Sequence, residues 1–131
     1  MESFPPIEAR APVRPLNPFR VSSYLPDEAE ELRRLDVWVA RMKYDGRFGE
    51  RQIGNVTYEW LDERPREVSP DEAVTQSVAV FFRELLELRF PGWETAEGSC
   101  GYFEWYLDDD MLTQQHAFRV IEYRMVTVSI D

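Results

Sequence analysis

A single histidine, His116, and a single cysteine, Cys100, are the first places to look for nucleophilic or proton-transfer chemistry in this chain. A Cys–His dyad requires a thiol of lowered pKa beside the ring. Cys100 instead stands in Gly98-Ser99-Cys100-Gly101, a glycine-flanked loop entering a strand rather than a helix N-terminus, so nothing local activates it. Alternation places His116 on the same side as Leu112 and Phe118, the pattern of a structural histidine packed among apolar neighbours. The carboxylates offer other chemistry. Asp45 and Glu50 in one turn, with Asp108, Asp109 and Asp110 in another, form a candidate acidic patch, and a candidate metal site if the two turns meet. As a calcium loop, Asp45 to Val56 fails: the third, fifth and twelfth positions, where oxygen ligands belong, hold Arg47, Gly49 and Val56. The sequence contains no Walker loop, dinucleotide fingerprint, nucleophile elbow or His-Glu-x-x-His helix. No catalytic residue, resident metal or cofactor is therefore expected. The remaining catalytic alternative is a small enzyme or metal-binding protein using His116 and the acidic loops.

These groups would be positioned by one long helix and a set of short strands. Ser69 to Trp93 begins with an N-cap (Ser69), a proline in the first turn and a capping-box glutamate (Glu72), and it ends at Pro91-Gly92. Val74, Val78, Phe81, Leu85 and Leu88 recur at helical spacing, and Phe82 and Leu86 widen the stripe enough to cover a sheet. Pro26 to Leu35 reads as a short helix with acids first and arginines last. Residues 37–60 read as a hairpin. Its first strand turns Trp38, Ala40, Met42 and Tyr44 to one face, its loop runs over Asp45–Gln52, and its second strand carries Val56, Tyr58 and Trp60. A third strand points Phe103, Trp105 and Leu107 inward. The β-rich end from Met111 changes parity near Val120–Glu122, as a bulge or a second strand would require. The expected fold is α+β: an antiparallel sheet of four to five strands in β-β-α-β-β order after a short N-terminal helix, with one long helix packed on one face.

Composition separates residues 1–22 from a single α+β domain at 23–131. The first region holds five prolines, which favour polyproline II, and its charge of +1 leaves −11 for the remainder of a chain whose net charge is −10. Phe4, Ile7, Leu16 and Phe19 are its candidate docking residues. On the sheet face away from the long helix, Tyr102, Glu104 and Tyr106, with Thr57 and Glu59, suit either a protein-recognition surface or ordinary cross-strand pairing. The acidic balance argues against direct nucleic-acid binding, which needs a basic surface. It fits a protein partner with a basic surface, or imitation of nucleic-acid charge. With no h-region in MESFPPIEAR, no membrane-length apolar run and one cysteine, a cytoplasmic protein without membrane contact is expected.

Four short segments, Tyr44-Asp45-Gly46, Gln52-Ile53, Gly101-Tyr102-Phe103 and His116-Ala117-Phe118-Arg119, together resemble an uncharacterised family of small bacterial proteins. That family carries a Tyr-Asp-Gly-Ser-Gly-Asp-Ser-Gly-Gln-Ile stretch, a later Gly-x-Phe strand and a His-x-x-Arg segment. The likeness spans about residues 36–125. Phe48 and Arg51 stand where the family has glycines, and the acid falls at Glu50 rather than one residue earlier. The resemblance implies a fold and no activity. The function expected from the residues is that of a non-enzymatic acidic accessory or regulatory protein, binding another protein through its N-terminal arm and exposed sheet face. A phage- or mobile-element-encoded inhibitor that mimics nucleic-acid charge is the alternative.

Overall fold

The chain enters its sheet earlier than its prolines suggest. The computed structural model describes residues 20–62 and 69–120 in full and residues 11–15 as backbone. Ala11–Pro15 forms strand β1 and pairs antiparallel with the last strand of the sheet, with a register irregularity between Ala11 and Arg14. Polyproline II was the expectation for this stretch. An edge strand is the position where proline is tolerated, because one side of its backbone needs no ladder partner. Phe4, Ile7, Leu16, Phe19, residues 63–68 of the connector and the β-rich residues 121–131 lie outside the described residues.

A short 3₁₀ turn at Val21–Ser23 leads into helix α1, Pro26–Arg34, with proline in its first turn as expected. Val21 is wholly buried, and Ser22 is tied by both its amide and its hydroxyl to Asp110. The compositional boundary at residue 22 is therefore not a structural one.

The hairpin then differs from the sequence reading in an instructive way. Strand β2 runs without interruption over Val37–Arg47, the turn is only Phe48-Gly49, and the return strand is split into β3 (Glu50–Ile53) and β4 (Thr57–Trp60). Asp45 and Gly46, expected in the loop, pair within the sheet. Gly46 is needed there for room rather than for turning: a Cβ would come within 2.5 Å of the Trp93 ring. Both turn residues have positive φ, 53° at Phe48 and 84° at Gly49, as a two-residue primed turn demands. Trp38 leaves its expected face as well. The register shifts between Val37 and Val39, and the Trp38 ring meets Tyr106 edge-on at 5.8 Å.

Helix α2 spans Glu72–Arg89, and Asp71, not Ser69, is its N-cap, its carboxylate accepting from the Ala73 amide at 3.0 Å. The buried stripe is Val78, Phe82, Leu85 and Leu86, flanked by the half-buried Val74 and Phe81. Leu88, expected in this row, is 78% exposed. Strands β5 (Ser99–Tyr106) and β6 (Met111–Phe118) complete an antiparallel sheet of order β1-β6-β5-β2-β3, with β4 also on β2. Since β3 and β4 share one side of β2, the six segments fill five positions. Both helices contribute to one core with Ala40, Met42, Phe103, Trp105 and Leu112, and Phe82 stacks on Phe103 at 5.2 Å. The fold is α+β, as expected, and among the described residues no helix is long and apolar enough to cross a membrane.

Candidate functional site

The four segments that carry the family resemblance are neighbours across the sheet. Tyr44 pairs with Ile53 on one side and Gly101 on the other, and Gly101 pairs with His116. One residue along, Gln52, Asp45, Cys100 and Ala117 form the next cross-strand row. Strand pleating sends the two rows to opposite faces. The Tyr44 row serves the core, and the Asp45 row serves the face without helices.

On the core side a buried polar chain runs from the helix end into the sheet. Arg89 donates to Gln114 Oε1 at 2.7 Å, and Gln114 Nε2 donates to the Tyr44 hydroxyl at 2.8 Å. That hydroxyl lies 2.6 Å from His116 Nδ1. Gly101 makes the approach possible, since a Cβ there would sit 2.5 Å from the Tyr44 oxygen and 2.1 Å from the Gln115 carbonyl oxygen. The His116 ring is fully buried and lies parallel to Phe90, centroids 3.8 Å apart, with Phe118 edge-on at 4.6 Å. Burial first, and the Arg89 charge second, push the imidazole down to about 4, so it is neutral at physiological pH. Burial likewise raises the Tyr44 phenol far above its ordinary value. His116 Nε2 is buried without a hydrogen-bond partner. A neutral, enclosed ring hydrogen-bonded to a phenol is a packing element, in line with the structural reading.

The dyad and the acidic patch do not assemble. Cys100 lies in the outward row with Asp45 while His116 faces the core, so the sheet stands between them. Asp45 pairs with Cys100 at one end of β2, whereas Asp108–Asp110 follow Tyr106, which pairs with Val39 at the other. Six residues of strand, about 20 Å, separate the two ends. Asp45 is ion-paired with Arg119, and Glu50 is exposed. Asp110 is a buried structural carboxylate that accepts from Ser22 and from Trp105 Nε1 at 3.0 Å, and Asp108 and Asp109 bond the turn's own amides. Among the described residues no group of three His, Cys, Asp or Glu side chains could hold a metal ion.

Tyr102, Glu104 and Tyr106 do share the helix-free face, each half-buried. Glu104 accepts from Arg41 at 2.6 Å, and Arg41 also pairs with Glu59, which uses both carboxylates internally. Tyr102 donates to Gln115 Oε1, leaving the Gln115 amide NH₂ as a donor. Beside Tyr102 opens a groove of about 1140 Å³ that crosses β3, β2, β5 and β6, with Gln52, Lys43, Tyr102 and Gln115 among its lining. The strand order brings Lys43 opposite Tyr102, whose neighbour on the other side is Gln115. No family model, no curated protein and no solved structure matches this chain.

Proposed function

We propose that the protein is a non-enzymatic binding module whose working surface is the helix-free face of the sheet, and that its ligand is another protein. The groove of about 1140 Å³ on that face carries this reading. It exceeds the size of an ordinary small-molecule pocket, about 300–1,000 Å³, and it is bordered by Tyr102, an aromatic type enriched in interface cores. Phe4 and Ile7, ahead of β1, are a second contact in this reading. The ion pairs of Glu59, Glu104 and Asp45 leave this face, among the described residues, without a run of free carboxylates, which favours recognition over charge mimicry here.

The test compares capture of partners from extract by the intact chain, by Tyr102→Ser and by Leu88→Ser. A specific partner lost with Tyr102→Ser and kept with Leu88→Ser, an exposed position on α2, supports the proposal. A partner lost only with Leu88→Ser places binding on the helical side and overturns it.

A further inference from the structure

Resting on that reading, we infer that the groove takes an extended acidic peptide segment of the partner. The chain's net charge of −10 would suggest a basic partner, yet the groove reverses the sign locally. Of its charged lining, Lys43, Arg47 and Arg119 stand against Asp45 and Glu97, a balance of +1, while the Arg51 side chain turns to the helix side. Two of these cations are already engaged: Arg119 with Asp45, and Arg51 with Glu87 and Glu94 at 2.7 and 2.9 Å. Lys43 has no ion pair with a carboxylate among the described residues, nor has Arg47, which lies over the Phe48 ring at 5.9 Å and opposite Glu50 across the strand pair.

Lys43 is the only lysine in the sequence, and it stands directly opposite Tyr102, whose own partner in the next strand is Gln115. Because Tyr102 donates to the Gln115 oxygen, the groove presents the Gln115 NH₂ and the lysine ammonium on either side of Tyr102, donors without matching acceptors among the described residues. Such a row asks for carboxylate or carbonyl oxygens. Size selects a peptide over a free anion. Four strands span three gaps of about 4.8 Å, roughly 14 Å in all, the length of about four extended residues.

Fluorescence anisotropy of the full chain with a labelled hexaglutamate peptide, a labelled hexaglutamine peptide and unlabelled glutamate tests the inference. Hexaglutamate should bind at least about tenfold more tightly than hexaglutamine and weaken with added salt, as charge-assisted contacts do. Lys43→Glu should abolish that preference, Lys43→Arg should keep it, and Arg83→Gln on α2 should leave it unchanged. Lys43 is exposed, so circular dichroism of both Lys43 variants should match the parent. An unchanged hexaglutamate affinity in Lys43→Glu overturns the inference, as does the absence of binding by either peptide. Equal binding of the two peptides, lost in Tyr102→Ser, removes the acidic preference while leaving the binding face in place. Displacement of the label by glutamate at matched molar concentration reassigns the groove to a small carboxylate.

Discussion

At the scale of single residues, the molecule devotes its one histidine to packing, and that choice has a measurable consequence. The folded ring titrates near 4, against 6.5 for the ordinary group. Between those values the unfolded chain binds the extra proton, so stability rises with pH there. The contribution of His116 is therefore complete above the unfolded pKa and is lost as the pH falls towards 4, on the order of 3 kcal/mol over the whole window. Urea unfolding near neutral pH and at about pH 4.5 should show that loss in the parent chain, beyond any loss seen in His116→Gln. Parallel pH profiles for the two proteins would show that the ring is not held neutral. This histidine's surroundings were partly legible in the alternation of Leu112, His116 and Phe118. Its hydrogen bond to Tyr44 was not, because it joins strands that only the fold makes neighbours.

At the scale of elements, the β2–β3 turn holds an aromatic residue where the backbone disfavours one. Phe48 sits at φ 53° and is 67% exposed, with its amide bonded to the Ala96 carbonyl at 2.8 Å. A left-handed conformation costs a bulky L-residue roughly 1–2 kcal/mol, and asparagine followed by glycine is the pair that such turns prefer. Phe48→Asn should thus raise stability by about 0.5–1 kcal/mol, read as a higher thermal midpoint. A lower midpoint would mean that the ring contributes more by covering its surroundings than the backbone loses. The helix offers the matching lesson. Its periodicity was plain, but periodicity leaves the rotation of the stripe open by about one position. The core took Phe82 and Leu86 and left Leu88 in water.

For the whole molecule, the N-terminal region binds itself into the domain at two points. β1 lies on β6, and Ser22 closes on Asp110 beside the buried Val21. Deleting residues 1–22 removes both points. The loss of Val21 alone is worth about 1.5–3 kcal/mol, and the buried Asp110 carboxylate losing the Ser22 donors adds about 1–3 kcal/mol. Deleting residues 1–10 spares them. Circular dichroism melts should show the shorter deletion close to the parent and the longer one strongly destabilised. A longer deletion that melts like the parent would show that the edge strand and the Ser22–Asp110 clamp carry no stability.

What the sequence determined by itself is local: a capped amphipathic helix, alternating strands, the α+β class, and Tyr102, Glu104 and Tyr106 on a common face. These follow from periods of 3.6 and 2 that each segment expresses alone. The tertiary structure alone decided strand order, and with it which outward residues meet. Hydrogen-bonded partners in a sheet are set by backbone pairing between distant segments, a relation that no local spacing encodes. For that reason the acidic turns fell at opposite ends of the sheet, while Lys43, Tyr102 and Gln115 came to stand in one row.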